Sequence, residues 1–330
     1  MPRGVSVAAV IPTFNGARYL AATIESVLAQ APAPEEVIVV DDGSVDDTPA
    51  VAARFLPRVR YVRSDTNHGI CHARNHGIAA SRSEWIALCD HDDLWVPGKL
   101  ARQLDLVRRV PDVEFQFSDF VDVVGDRWTG RRKFLLVGDD YWAEGRRDLG
   151  DGIWLFETSL FPRLIRFQPV FPSTMMFSRA LFERIGGFDE ALGRERTEDL
   201  EFTLRAVTQT RVAAIAAPLV GKRDHGGGFS DDNLATALSH VRVLRHVLRH
   251  NPAASDHAAA INQEIARRSR DAANDAFARG DLPLAAELLR DVPASMRDAR
   301  LWVKAAILRL PRFLAVPLGA ALVGLQARSR

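Results

Sequence analysis

Along the N-terminal part of the chain, continuous apolar runs alternate with spaced ones. Val5 to Ile11 is an unbroken run of β-branched and small residues, the pattern of a strand covered on both faces. Residues Tyr19 to Gln30 then place Leu20, Ile24, Val27 and Leu28 at the spacing of an amphipathic helix. Val37 to Val40 predicts a second buried strand, Thr48 to Phe55 a helix and Val59 to Arg63 a third strand. Such βαβαβ alternation implies parallel strands joined by right-handed crossovers. Ile70 to Ala80 predicts the next helix, Trp85 to Cys89 a fourth strand, Leu100 to Arg109 a helix and Val113 to Phe117 a strand.

The pattern weakens from Asp119 to Trp154, which is expected to be an insertion. Ser173 to Phe177 predicts a strand and Arg179 to Ile185 a short helix, followed by a turn at Gly186-Gly187-Phe188-Asp189. Glu198-Asp199 opens an amphipathic helix with Leu200, Phe202, Leu204 and Val207 on its apolar face. From about residue 233 onward the chain is rich in Ala, Leu and Arg at helical spacing. The expected organisation is therefore an α/β domain over residues 1–230 and a helical region over 231–330. Within that region Ala273 to Leu289 has the form of one helix-turn-helix unit. A helical cap is the plainer reading, because a single repeat does not bury a core.

Composition narrows the classes. The 330 residues carry 43 basic and 42 acidic side chains, so no overall charge favours nucleic acid. Cys71 and Cys89 lack metal-ligand spacing and suggest no disulfide framework, which makes a reducing, cytoplasmic location the default. The first apolar stretch runs into Pro12-Thr13-Phe14-Asn15-Gly16 rather than a cleavage site, and reads as a strand. No window reaches the apolar length of a membrane span; the nearest, Phe313 to Leu325, contains Pro317 and Gly319. Residues 302–325 nevertheless mix Trp302, Leu310 and Phe313 with Lys304, Arg309 and Arg312. That mixture suits either an anionic membrane surface or packing against the α/β domain.

Candidate chemistry gathers where strands end, since open α/β sheets bind ligands beyond the carboxyl ends of their strands. Asp90-His91-Asp92-Asp93 follows the fourth strand, and carboxylates two apart on one loop suit a hard cation such as Mg²⁺ or Mn²⁺. The same acids could equally form a solvated turn or cap the next helix. Asp41-Asp42-Gly43-Ser44 follows the second strand, where a carboxylate can accept from a base edge and Gly43 permits a sharp turn. A dinucleotide site is disfavoured, because no G-x-G-x-x-G follows the first strand. His68, His72 and His76 recur every four residues, but no carboxylate or cysteine completes a metal set in sequence. They read as surface or helix-start histidines.

The ordered stretches VIPTFNGARYL, VIVVDDGSVDDT, NHGICHARNHGI, ALCDHDDLW, GGFDE and TEDLEFTLR resemble the family 2 glycosyltransferases of the GT-A fold, over roughly residues 5–230. The resemblance implies a Rossmann-like mixed sheet flanked by helices and an inverting transfer of one sugar from a nucleoside-diphosphate sugar. A UDP-sugar would be the donor and a glycan or lipid-linked hydroxyl the acceptor, in cell-surface polysaccharide synthesis. It implies a nucleotide cradle of Pro12, Thr13 and Phe14, with Asp41 on the base and Arg74 on base or diphosphate. Asp92 would bind Mn²⁺ or Mg²⁺, and Asp90 or Asp93 would contact ribose or sugar. Glu198 lies on the acceptor side, Asp199 holds the position of the general base, and His225 that of a residue approaching the metal. Arg74 could also be a plain ion pair, His225 a structural histidine, and Trp95 either an acceptor-stacking ring or core. The Q-x-x-R-W element of processive synthases is missing, which favours single transfer over polymerisation. A nucleotide-sugar-binding pseudoenzyme or scaffold is the competing reading, although the acids such a protein would lose are present.

Overall fold

A computed structural model describes residues 5–224 and 232–328, with side chains of the last helix described as far as Val323. The chain divides into two compact units, residues 1–228 and 229–330. Unit 1 begins with β1 (Val7–Thr13), α1 (Leu20–Leu28), β2 (Glu36–Asp41), α2 (Thr48–Ala53), β3 (Arg60–Arg63), α3 (Ile70–Ala80) and β4 (Trp85–Leu88). These follow the expected alternation within a few residues. β1 is buried along its whole length, as its continuous apolar run requires.

Next come β5 (Leu94–Trp95), α4 (Lys99–Arg109), β6 (Val113–Val124), β7 (Arg127–Arg132), α5 (Lys133–Val137), α6 (Asp139–Ala143), β8 (Arg146–Asp148), β9 (Ile153–Phe156) and α7 (Phe161–Leu164). The unit closes with β10 (Met176–Ser178), α8 (Arg179–Ile185), α9 (Glu198–Ala206) and β11 (Arg211–Asp224). The sheet order is β3-β2-β1-β4-β10-β6-β11-β9-β8, with β5 and β7 paired onto β11 and β6. β3, β2, β1 and β4 are parallel, β10 runs against both β4 and β6, and β6 and β11 are parallel again. The sheet is therefore mixed.

After β1 the chain moves outward through β2 and β3, then returns to lay β4 on the other side of β1. That reversal opens a crevice at the carboxyl ends of β1 and β4, the place where such sheets bind ligands. Below it, Ile11, Leu20, Ile24, Val39, Leu100 and Phe120 belong to one buried cluster.

Unit 2 contains α10 (Asn233–His250), α11 (Ala258–Ala278), α12 (Leu282–Leu288), α13 (Ala299–Ile307) and α14 (Arg312–Arg328). Its core joins Leu234, Phe277, Ala285, Leu289 and Leu301. The expected helix-turn-helix is the end of α11 joined to α12 across Gly280, whose φ of 80° suits a residue without a side chain. No described helix is long and apolar enough to cross a membrane.

Candidate active site

Two loops at the crevice are fastened to one another. Asn15 has a φ of 51°, a left-handed turn that Asn tolerates. Its N–H donates to Ser44 Oγ at 2.8 Å, while its Oδ1 accepts from Val45 N at 2.9 Å. Gly16 N donates to Thr48 Oγ1 at 2.9 Å and Ala17 N to Asp46 Oδ2 at 3.1 Å. Gly16 is required by crowding, since a Cβ there would stand 2.4 Å from Thr13 Oγ1 and 2.6 Å from His91 Cδ2. The loop following Pro12 therefore touches both acidic loops. Phe14 stands 42% exposed on it, and the buried Thr13 Oγ1 has no hydrogen-bond partner.

The pair after β2 faces inward. Asp41 is fully buried, its Oδ1 accepting from Ser44 N at 2.8 Å and its Oδ2 from Tyr61 Oη at 2.5 Å, with Arg63 3.5 Å away. Asp42 accepts from His68 N and Gly69 N, holding the start of α3 against the β2 loop. Gly43 makes the turn at a φ of 78°.

The loop after β4 is held from beneath. The Thr23 hydroxyl lies 2.8 Å from the carbonyl oxygens of both His91 and Asp93. Ser173 Oγ accepts from Asp90 N at 2.9 Å and donates to Asp93 Oδ2 at 2.5 Å. Arg223 closes the other side through its N–H to Asp93 Oδ1 and its guanidinium to Asp92 O. Asp93 is thus an internal brace and not the exposed ligand the linear motif suggests. Burial pushes its carboxyl well above the usual carboxylate range, with Asp92 and Asp90 adding to the shift. Asp90 keeps about a fifth of its side-chain surface exposed (20%), and Asp92 is half-buried.

Arg74, on α3, joins this loop to α9. Only 2% exposed, it donates through Nη1 to Glu198 Oε1 at 2.6 Å and through Nη2 to Asp90 Oδ1 at 3.1 Å. Its guanidinium carbon stands 5.3 Å from the Phe188 ring centroid, and its buried Nε has no partner. Asp199 follows Glu198 in the first turn of α9, and its Oδ2 accepts from Gln168 Nε2 at 3.1 Å. Burial raises both carboxyls above their ordinary range. Arg74 opposes the shift at Glu198, whereas at Asp199 the Glu198 carboxylate adds to it, so Asp199 is displaced much further.

Trp95 is corrected from a candidate acceptor platform to core. It is 3% exposed, pairs with Val220 across β5 and β11, and lies 4.2 Å beneath the Lys99 ammonium. The rings of His68, His72 and His76 lie in series at tilted angles, with His72 Nδ1 3.2 Å from Glu190 Oε2. No group of three or more His, Cys, Asp or Glu among the described residues could hold a metal by itself. His225 lies outside the described residues. Thr23, Gln168, Ser173 and Arg223 are site residues that the sequence did not announce, because each is a lone polar residue without a motif.

Comparison with known proteins gives the family and the fold. The model of "Glycosyl transferase family 2" matches residues 8–186, more than half of the 330-residue chain. An uncharacterized glycosyltransferase of Rickettsia typhi is 28% identical over 202 residues, 61% of this chain and 59% of that protein. The succinoglycan biosynthesis protein ExoO of Rhizobium meliloti is 45% identical over 97 residues, 29% of this chain and 28% of that one. The chain thus spans less than two thirds of these relatives' own length. Among solved structures, S. aureus TarS 1–349 in complex with UDP-GlcNAc aligns with a TM-score of 0.64 at 15% identity, covering 98% of this chain and 92% of that one. The mannosyltransferase PcManGT of Pyrobaculum calidifontis, in complex with GDP-Man and Mn²⁺, aligns at 0.57 and 19% identity, covering 98% and 87%. At these identities the structural likeness concerns the fold.

Proposed function

The chain belongs to glycosyl transferase family 2, and on that premise we propose that it moves a single sugar from a nucleoside-diphosphate sugar to a hydroxyl of a glycan or lipid-linked acceptor, inverting the anomeric carbon. Polysaccharide synthesis at the cytoplasmic face of a membrane is the proposed setting, in line with the succinoglycan biosynthesis protein among its relatives. UDP is the proposed nucleotide, in line with the TarS complex, and GDP is the alternative that the PcManGT complex keeps open.

One observation carries the reading. Arg74 bonds at once to Asp90 of the loop after β4 and to Glu198, the neighbour of Asp199, so two carboxylate elements 108 residues apart in sequence (90 to 198) meet across one guanidinium. Transfer needs that juxtaposition: a site for the leaving diphosphate on one side and a proton acceptor on the other. The buried Thr13 Oγ1 and Arg74 Nε lack partners, and orphaned buried polar atoms are ordinarily satisfied by water or a polar ligand. Pro12, Thr13 and Phe14 then form the nucleotide cradle, with Phe14 free to flank a base. Asp41 shapes its floor, because its own oxygens are engaged by Ser44, Tyr61 and Arg63.

A divalent cation fits the acids present. Asp92 and Asp90 offer hard oxygens, and such ions take one or two carboxylates and complete their shell with phosphate and water. Mn²⁺ or Mg²⁺ held there would neutralise charge on the departing diphosphate. A share for His225 rests on the sequence alone. Asp199 receives the acceptor hydroxyl's proton, and its raised pKa makes it a stronger base once ionised.

Asp199→Asn tests the assignment. Transfer is expected to fall by roughly 10²–10⁴, the usual share of a general base. Donor affinity, measured by calorimetry with Mn²⁺ present, should stay within a few-fold, because the Asp199 carboxylate is hydrogen-bonded to Gln168 and lies on α9, apart in sequence from the loops of the proposed cradle. Near wild-type transfer by this variant would remove Asp199 from the mechanism.

A further inference from the structure

The last helix of unit 2 leaves its larger apolar residues uncovered, beside further exposed apolar residues of the helix before it. α13 packs inward through Leu301, Lys304, Ala305 and Ile307. α14 turns the small residues Ala315 and Gly319 to the core, and a Cβ on Gly319 would stand 3.5 Å from the Phe277 ring. Its outer side carries Phe313, Val316, Pro317 and Ala320, all exposed, at the i, i+3, i+4, i+7 spacing that a surface helix normally gives to its buried stripe. Trp302 and Val303 on α13, and Leu310 between the helices, extend the apolar surface at 44%, 48% and 38% exposure. Phe313 is 75% exposed. An outward stripe of this kind marks an interaction surface.

Charge identifies the partner. From Ala299 to Arg330 the chain has no Asp or Glu, while Arg300, Lys304, Arg309, Arg312, Arg328 and Arg330 are basic. Arg309 and Arg312 are exposed on either side of Leu310 and Pro311. A second copy docked face to face would bring these arginines against their own counterparts, since a two-fold interface pairs a patch with itself. An anionic bilayer instead offers phosphates to the arginines and an acyl boundary to the ring of Phe313 and its neighbours. No described helix qualifies as a membrane span, so the fit is to lying on the surface.

We propose that α13 and α14 form a docking surface for an anionic lipid bilayer, with Trp302, Phe313 and Val316 seated at the headgroup boundary and Arg309 and Arg312 on the phosphates. The proposal does not depend on the transfer reaction, and its test reads binding alone. The full chain is sedimented with vesicles of phosphatidylcholine, with and without phosphatidylglycerol. Binding should be at least about tenfold tighter with the anionic lipid and should weaken with salt, because each arginine near such a leaflet adds about fivefold.

Phe313→Asp/Val316→Asp should lower vesicle binding at least about tenfold on either lipid, since each loses an apolar side chain from the boundary. Arg309→Glu/Arg312→Glu should abolish the preference for phosphatidylglycerol. All four positions are exposed, and an unchanged helical circular dichroism signal with the wild-type melting transition would verify that each variant is folded. Equal sedimentation of wild type and both variants would overturn the proposal. So would wild-type self-association that Phe313→Asp/Val316→Asp abolishes while vesicle binding is absent, which would give the surface to a second copy.

Discussion

Asp199 and Glu198 are neighbours with different surroundings. Glu198 is hydrogen-bonded to the Arg74 guanidinium, which favours its charged form, whereas Asp199 has burial and the Glu198 and Asp90 carboxylates against it, with the Arg74 charge, the Leu200 N–H and the Gln168 Nε2 donor in its favour. A raised folded-state pKa means that the proposed base is protonated at pH values where an ordinary carboxyl is ionised. Activity should therefore rise with pH along a limb displaced above the usual carboxylate range. Gln168→Leu removes a hydrogen bond that Asp199 Oδ2 accepts and should move that limb upward. Gln168→Glu should move it further. A loss of rate equal at all pH values would instead make Gln168 a structural contact. The acids and Arg74 were legible as candidates because they stand in motifs, but Gln168 was not, since no local pattern links it to a residue on α9. The burial of Asp93, and which of its two readings Trp95 takes, were hidden for a related reason: adjacency on a loop leaving a strand does not say which side chains turn under it.

Among the elements, those from β1 through α4, the two-residue β5 apart, could be read from apolar spacing, because continuous runs such as β1, β2 and β4 mark buried strands and helical spacing marks the helices between them. β11 could not. It is 14 residues long and lies between β6 and β9, yet its sequence includes four alanines with Pro218 and Gly221. The ladder to β6 shifts register on both sides of Pro218, as expected where a residue has no N–H to give. β11 also completes the site, because Arg223 near its end fastens the Asp90–Asp93 loop through Asp93 Oδ1 and Asp92 O. That loop is braced at Thr23, Ser173 and Arg223 while Asp90 and Asp92 retain exposure, an arrangement that presents hard oxygens on a rigid backbone. EDTA should accordingly abolish turnover. Asp92→Asn should weaken Mn²⁺-dependent donor binding, measured by calorimetry, and reduce transfer to a trace. Full activity in chelator would exclude a cation from the reaction.

For the molecule as a whole, chain order divides the labour. The loops of the proposed donor site all precede residue 100, and α9 with the proposed base begins at Glu198; Arg74 links the two directly. A double displacement would need a carboxylate free to form a covalent link with the sugar. Glu198 is committed to Arg74 at 2.6 Å and Glu201 to Arg205 at 2.6 Å, which leaves Asp199 of that turn for the proposed role of base. A single displacement follows, in which the acceptor oxygen forms its bond to the anomeric carbon as the bond to the diphosphate breaks. Two measurements check this together. An α-linked donor should give a β-linked product, read from the anomeric coupling in the proton spectrum. The released product should be a nucleoside diphosphate, with no pyrophosphate, which separates glycosyl transfer from nucleotidyl transfer on a related sheet. Retention of the donor's configuration would require a covalent nucleophile, and with it a different role for Asp199 or Glu198.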